Sequence, residues 1–133
     1  MTVRSLEHVA MAYRDTDAAA QWFCDILGFS IVFQATHPAF GVNFYFVKDP
    51  AGKGLIEIIP MPPDNSIDLN DTKTAHIHVA FDVDDMDAAV EELTSKGVVF
   101  EGPPVSMGPN RLAFFRDPEG APLQLVQRPN PLI

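Results

Sequence analysis

The sequence contains an internal repeat. The segment HVAMAYRDTDAAA, which begins at His8, aligns with HVAFDVDDMDAAV, which begins at His78, at an offset of 70 residues. Later in each half, VKDPAG at 47–52 aligns with FRDPEG at 115–120, and LIEI aligns with PLQL. The order of these segments is kept with only small changes of offset. A chain with this property is expected to fold as two copies of one supersecondary unit.

Each half shows the pattern of a strand, a helix and three further strands. Alternating apolar residues begin each half, and apolar residues at helical spacing follow them. Capping residues flank both predicted helices: Asp15 or Thr16 and Gly28 in the first half, and Asp84 or Asp85 and Gly97 in the second. The Asp-Pro-x-Gly segments are typical of turns between the last two strands. We therefore predict an α+β chain with two βαβββ modules.

The module boundaries follow from this pattern. We predict a single domain over 1–133, with a first module at 1–60, a linker at 61–74 and a second module at 75–128. Prolines and short polar residues between the halves disfavour regular structure in the linker. The predicted strands are 3–13, 29–35, 42–48 and 55–60 in the first module, and the segment around His78, 98–101, 111–116 and 123–127 in the second.

Composition narrows the class of protein. At 133 residues and 47% hydrophobic, the chain is long enough to bury one core. Its 18 acidic residues outnumber the 9 basic ones, and the net charge of −9 leaves no Lys/Arg cluster to follow a phosphate backbone. The sequence has neither an apolar run of about 20 residues nor a secretory signal. We therefore expect a soluble, cytoplasmic protein that binds neither nucleic acid nor membrane.

Strand alternation places four polar residues on corresponding faces. His8 and His78 face away from the large apolar residues of their strands, and Glu57 and Gln124 do the same in theirs. Burying a carboxylate and two imidazoles is unfavourable unless each is paired, hydrogen-bonded or bound to a metal. A divalent cation would satisfy all of them, and a mixed nitrogen and oxygen set suits Zn, Ni, Co, Fe or Mn. We therefore predict a metal site formed by these four residues.

Four segments carry a family resemblance: HVAMAYRDTDAAAQWFCDILGF, LIEIIP, HVAFDVDDMDAAV and FFRDPEGAPLQLV. In these segments the chain resembles the vicinal oxygen chelate superfamily, which includes glyoxalase I, methylmalonyl-CoA epimerase, extradiol dioxygenases, and fosfomycin and bleomycin resistance proteins. The resemblance implies a curved, half-open mixed sheet and a homodimer with sites at or near the module junction. It also implies metal ligands from the first and fourth strands of each module, which fall on the four residues above.

In its ligand pattern the chain is similar to glyoxalase I, also called lactoylglutathione lyase. The resemblance implies a lyase or isomerase in which a divalent metal, most simply Zn or Ni with Fe, Mn or Co as alternatives, holds adjacent oxygens of a small substrate and stabilises an enediolate. A thiol co-substrate such as glutathione belongs to that reaction. Many of these enzymes carry a glutamate where this chain has Gln124. Because an amide cannot accept a proton, Glu57 is the expected general base.

Other functions stay open at this stage. An enzyme like methylmalonyl-CoA epimerase would also pass through a metal-held enolate, although it normally uses two carboxylate bases. A non-catalytic protein that sequesters bleomycin would have the same fold without needing metal ligands, and four ligand-type residues argue against it. An extradiol dioxygenase is disfavoured because it needs a carboxylate in the final strand, where Gln124 lies.

Three further residues are candidates for substrate binding. His76 lies two residues from His78 on the same predicted face, and could contact substrate or be a rim histidine that faces solvent. Arg111 could bind an anionic substrate group, or be a surface residue at the start of a strand. Tyr45 belongs to the aromatic run 44–46, which must place residues on both faces of its strand.

Two other reactive side chains are assigned no function. Cys24 falls on the apolar side of the first predicted helix, where a small buried thiol is the ordinary expectation, and a lone cysteine cannot form an internal disulfide. His37 stands beside Pro38 in a predicted loop. We expect it to be solvated.

Overall fold

The structure is a computed structural model that describes residues 2–61 and 77–133. The chain divides into two compact units, Met1–Ser66 and Ile67–Ile133. Each unit contains one βαβββ module, which confirms the predicted fold class. The predicted linker at 61–74 lies outside the described residues except for Met61, so its boundaries stay a prediction.

The first unit is a four-stranded mixed sheet with one helix. Its elements are β1 (Val9–Tyr13), α1 (Thr16–Leu27), β2 (Ser30–Thr36), β3 (Asn43–Lys48) and β4 (Leu55–Pro60). The strand order is β1-β4-β3-β2. Strands β1 and β4 run parallel, and the other neighbours run antiparallel. The first and last strands of the module are therefore side by side.

The second unit repeats this arrangement. Its elements are β5 (Val79–Asp82), α2 (Met86–Ser95), β6 (Val105–Met107), β7 (Asn110–Arg116) and β8 (Pro122–Gln127). The strand order is β5-β8-β7-β6, with β5 and β8 parallel. Because the two sheets have the same order and strand directions, residues at equivalent places in the sequence repeat occupy equivalent places in the two sheets.

Both helices begin at the predicted caps. The carboxylate of Asp15 accepts a hydrogen bond from the amide of Ala18, and that of Asp85 accepts one from Ala88. Each bond satisfies an amide in the first helical turn that has no partner within its helix. Helix α1 ends at Gly28, whose φ of 73° is in the left-handed region that glycine adopts most readily.

In each unit the helix covers one face of the sheet. Phe23 of α1 and the strand residues Val47 and Ile58 are fully buried in the first unit, as are Met86 of α2 and Phe115 in the second. Burying a side chain of this size contributes about 1.5–3 kcal/mol. Since these residues lie on the helix side of their strands, their neighbours in sequence must project from the opposite face.

Two predicted strands differ from the structure. The predicted strand at 98–101 is wrong: within it Phe100 forms an isolated bridge to Phe115, and β6 lies at Val105–Met107 instead. The strand forms after the Pro103-Pro104 pair, whose rings leave no amide hydrogens for a ladder. The first strand begins at Val9 rather than at residue 3, because its parallel partner begins at Leu55 and pairs Val9 with Ile56.

The helices are short. No helix within residues 2–61 or 77–133 has the length and apolar character needed to cross a membrane.

Candidate metal and substrate site

His8 and Glu57 lie on the same face of the first sheet, opposite α1. Glu57 of β4 pairs with Ala10 of β1, and His8 precedes Ala10 by two residues. The Nε2 atom of His8 is 3.7 Å from Oε1 of Glu57. The two side chains are 32% and 17% exposed, so both are partly shielded but still accessible. The structure therefore brings two of the four predicted ligands together within the first unit.

A second carboxylate holds the other side of the His8 ring. Nδ1 of His8 lies 3.0 Å from Oε2 of Glu7. An ionised carboxylate can only accept, so this hydrogen bond requires the proton on Nδ1 and makes Nε2 the ring nitrogen that faces Glu57. Sequence reasoning missed Glu7. The signal was a break in the repeat, since Ile77 precedes His78 where Glu7 precedes His8.

In the second unit, His78 and Gln124 occupy the equivalent positions. Gln124 of β8 pairs with Ala80 of β5, and its side chain is buried at 7% exposure. Phe114 pairs with Gln124 and meets the His78 ring edge-on at 6.1 Å between centroids. In the first unit Phe46, which pairs with Glu57, meets the His8 ring in the same way at 5.1 Å. The strand register thus agrees with the prediction that His8 and Glu57 share one face of their sheet and that His78 and Gln124 share one face of theirs.

The donor atoms of the first unit fit a divalent metal. Ligand atoms of histidine and carboxylate lie about 2.0–2.2 Å from Zn²⁺. A separation of 3.7 Å between Nε2 of His8 and Oε1 of Glu57 is less than twice that distance, so both atoms can bind one ion. Residues 2–61 and 77–133 contain no group of three or more His, Cys, Asp or Glu side chains that could hold a metal ion. The sharing of one ion by all four predicted ligands, Gln124 included, stays a prediction.

Tyr45 lies on the helix side of its sheet, opposite Glu57. It pairs with Ile58 and is buried, and its hydroxyl donates a hydrogen bond to the carboxylate of Asp17 on α1. This bond raises the pKa of the Tyr45 hydroxyl, with burial adding to the effect, and lowers the pKa of the Asp17 carboxyl. The placement does not fit the predicted substrate contact by Tyr45. Tyr45 instead packs between its strand and helix α1.

Arg111 also lies on the helix side, in the second sheet. It pairs with Gln127, whose side-chain oxygen accepts a hydrogen bond from the amide of Met86 at the start of α2. The Arg111 guanidinium donates to Oδ1 of Asp87 at 2.9 Å, which lowers the pKa of that carboxyl. Binding of an anionic substrate beside Gln124, on the opposite face, does not fit this placement. His76, the third predicted substrate residue, lies outside the described residues.

Phenylalanine side chains occupy the Glu57 face of the first sheet, opposite Tyr45. Phe44 and Phe46 project from β3 on this side, and Phe33 pairs with Phe46 from β2. His37 lies in the loop that follows β2, as predicted, and stays partly accessible to solvent. Its ring is half-buried, stacks on Phe40 at 4.7 Å and accepts a hydrogen bond at Nδ1 from the amide of Ala39.

Cys24 is half-buried in α1. Burial raises the pKa of its thiol, with Asp25 adding a smaller effect in the same direction. A raised pKa keeps the sulfur in its unreactive thiol form at neutral pH. The structure is consistent with the assignment of no chemical role to this cysteine.

Comparison with known proteins identifies relatives along nearly the whole chain. The family model of the Glyoxalase/Bleomycin resistance protein/Dioxygenase superfamily matches residues 5–125. The protein YaeR of Escherichia coli strain K12 is 32% identical over 133 residues, covering 95% of this chain and 98% of YaeR. The lactoylglutathione lyase of Haemophilus influenzae is 26% identical, covering 90% of each chain. The crystal structure of a superfamily member from Sphaerobacter thermophilus superposes with a TM-score of 0.78 at 21% identity, covering 96% of this chain and 100% of that one.

Proposed function

The chain belongs to the Glyoxalase/Bleomycin resistance protein/Dioxygenase superfamily, and from that premise we propose that it is a divalent-metal-dependent lyase or isomerase of the glyoxalase I type. Its substrate would be a small molecule with oxygen atoms on adjacent carbons. The observation that carries the proposal is the separation of 3.7 Å between Nε2 of His8 and Oε1 of Glu57 on a partly shielded face. The name of the lactoylglutathione lyase from H. influenzae supports the same reaction class.

The proposed ligands are His8 and Glu57 from the first unit and their repeat equivalents His78 and Gln124 from the second. Two imidazole nitrogens, a carboxylate oxygen and an amide oxygen form a mixed set that suits Zn or Ni, with Fe, Mn or Co as alternatives. A divalent cation bound there would supply Lewis-acid stabilisation to the oxygens of the substrate. The partial burial of His8 and Glu57 reduces the screening of their charges by solvent.

The residues of the chain then divide the work. Glu57 is the carboxylate that removes the proton from the substrate carbon and returns it to the neighbouring carbon. Gln124 cannot accept a proton, so its contribution is limited to its amide oxygen and to its position beside Phe114. Glu7 orients the His8 ring so that Nε2 faces the site. A thiol such as glutathione is the proposed co-substrate, because it would convert an α-ketoaldehyde into a hemithioacetal with the required adjacent oxygens.

Metal content and turnover test the proposal together. Protein purified without chelator is expected to contain near one divalent metal per chain, and to convert methylglyoxal and glutathione when Ni or Zn is present. Apo protein prepared with chelator should lose this activity and regain it when metal is added. Metal uptake without turnover would eliminate the glyoxalase reaction but keep the metal site. An epimerase-like reaction on an acyl thioester would then be the next to assay.

Failure to load any metal would have a different meaning. It would favour a binding protein that sequesters a small molecule, since that function needs the fold but not the ligands. The fold assignment rests on the superfamily match and does not depend on either outcome.

A further inference from the structure

Three phenylalanines form one surface on the Glu57 face of the first sheet. We call Phe33, Phe44 and Phe46 the aromatic cluster. Their ring centroids lie 5.8 Å (Phe33–Phe44), 6.1 Å (Phe33–Phe46) and 6.4 Å (Phe44–Phe46) apart, within the range of favourable aromatic pairs. Phe33 is nevertheless 51% exposed, and its strand β2 is at the edge of the sheet. The cluster is therefore ordered by its own contacts while it still offers a ring to a ligand.

The aromatic cluster is continuous with the proposed metal ligands. Phe46 pairs with Glu57 in the strand register and meets the His8 ring edge-on at 5.1 Å. At the far end, Phe44 lies 6.0 Å from the His37 ring, which stacks on Phe40. A molecule whose oxygen atoms bind beside His8 and Glu57 would thus have an apolar aromatic wall next to its carbon skeleton.

The fold itself does not require this wall. The core of the unit lies on the opposite, helix-covered face, where Phe23, Val47 and Ile58 are fully buried. In the second unit, the position equivalent to Phe44 is Leu112. There, β6 pairs with residues 110–112 of β7. In the first unit, β2 pairs with residues 43–48 of β3, a stretch that includes Phe44 and Phe46. The same module therefore folds with a leucine at this position, so the fold does not explain the ring of Phe44, whereas Phe46 has a repeat equivalent in Phe114.

We propose that the aromatic cluster binds an aromatic or bulky apolar group of the substrate, attached to the carbon that carries the chelating oxygens. Phe33 and Phe44 are then specificity-determining residues that favour aryl over methyl substituents. The inference rests on the proposed function, because it places the oxygen-bearing end of the substrate beside His8 and Glu57. It goes further in that it names the class of group on the other end.

Two hydroxamic acids separate the apolar contact from the metal contact. Acetohydroxamate and benzohydroxamate chelate a metal through the same pair of oxygens, and differ in a methyl or a phenyl group. Their dissociation constants would be measured by calorimetry on zinc-loaded protein. We expect the wild-type protein to bind benzohydroxamate about tenfold more tightly, from the burial and stacking of the phenyl ring.

The variants test whether the aromatic cluster causes this preference. Phe33→Ala removes the exposed ring, and Phe44→Leu introduces the residue that the second unit carries at the equivalent position. Each should reduce the preference to about threefold or less and leave acetohydroxamate binding within twofold of wild type. Ile31→Ala is the matched control, because Ile31 is exposed on the same edge strand but pairs with Val47 on the helix side.

The possible results distinguish failure of the aromatic-cluster proposal from failure of the proposed function. Equal binding of both hydroxamates by zinc-loaded wild type, or a preference that survives in both phenylalanine variants, would overturn the assignment of the aromatic cluster and leave the metal site intact. Protein that takes up no zinc would contradict the proposed function first, and the substrate class with it.

Discussion

Oε2 of Glu7 lies 3.0 Å from Nδ1 of His8, and the residue that makes this contact is not repeated in the second half of the sequence. His78, the repeat equivalent of His8, follows Ile77 in the sequence and therefore has no carboxylate in the preceding position. A carboxylate on Nδ1 fixes the tautomer and the ring orientation of a metal-ligating histidine, and makes Nε2 a stronger donor to the metal. Glu7 is thus expected to act on the metal through His8 rather than by direct contact.

Substitution of Glu7 should weaken metal binding. We expect Glu7→Ala to raise the dissociation constant for Zn²⁺ by about tenfold, the lower end of the usual effect of removing such a partner, because the Glu7 side chain is 70% exposed and screened by solvent. Glu7→Gln should have an intermediate effect, because its amide oxygen still accepts the hydrogen bond from Nδ1 but carries no charge. Competition with a chromophoric zinc chelator measures the constants directly.

A control must separate this effect from the loss of one negative charge on an acidic protein. Glu91→Gln removes an exposed glutamate from α2 and should leave zinc affinity within twofold of wild type. Equal affinities for wild type, Glu7→Ala and Glu91→Gln would show that the contact with His8 has no part in metal binding.

Exchange of acid and amide at Glu57 and at Gln124 should change kcat in opposite directions. Glu57→Gln is expected to reduce kcat by about 100-fold or more with methylglyoxal and glutathione, because the first unit loses its carboxylate base. Gln124→Glu should retain or raise kcat, since it adds a second carboxylate at the repeat-equivalent position. Full activity in metal-loaded Glu57→Gln would exclude Glu57 as the base, and metal content must be measured for each variant to separate lost chemistry from lost metal.

The bond between Tyr45 and Asp17 should contribute to stability rather than to activity. Tyr45→Phe removes the donor to the Asp17 carboxylate, and we expect a loss of about 1 kcal/mol in the free energy of unfolding at pH 7, because Asp17 is exposed and screened by solvent. Urea unfolding measures this loss. Zinc affinity should be unchanged, because Tyr45 lies on the face opposite Glu57.

The same bond predicts the pH range of that difference. Hydrogen bonding to Asp17 and burial raise the Tyr45 pKa above its ordinary 10.0, so this contribution is complete below pH 10.0 and is lost as pH rises through the folded-state value. Hydrogen bonds from Tyr45 and Asn43 lower the Asp17 pKa below 3.8, so its contribution is complete above that pH and is lost as pH falls. The difference between wild type and Tyr45→Phe should therefore shrink at both extremes. A constant difference from pH 3 to pH 11 would contradict this origin.

Local rules account for what could be predicted from the sequence. The caps at Asp15 and Asp85 depend on backbone amides one turn away. Alternation with apolar residues along β4 and β8 assigns Glu57 and Gln124 to a face without knowledge of the neighbouring strands. The repeat strengthened both predictions because each pattern occurs twice. The predicted fold class of two βαβββ modules is confirmed for this reason.

Features that depend on pairing between distant residues could not be predicted. The location of β6 depends on its register with β7 across the turn at Gly108, whose φ is 58°, and the apolar run at 98–101 resembled a strand just as well. The side chosen by Tyr45 depends on its pairing with Ile58 and on the carboxylate of Asp17, 28 residues earlier. Alternation states that neighbouring residues face opposite ways, but not which of them faces the helix.

Arg111 provides the clearest test of that distinction between faces. In the first unit Asn43 donates to Asp17, and at the equivalent positions of the second unit Arg111 donates to Asp87, so the repeat preserves a strand-to-helix contact on the face opposite Gln124. We expect Arg111→Gln to leave KM for the methylglyoxal and glutathione adduct within about twofold of wild type, because Asp87 is exposed, Arg111 is only half-buried, and an ion pair this accessible to solvent contributes little. The same variant should return the Asp87 pKa toward its ordinary value of 3.8, which NMR titration of the carboxyl would detect. A rise in KM of tenfold or more, with zinc affinity unchanged, would restore the sequence-based prediction that Arg111 binds an anionic substrate group.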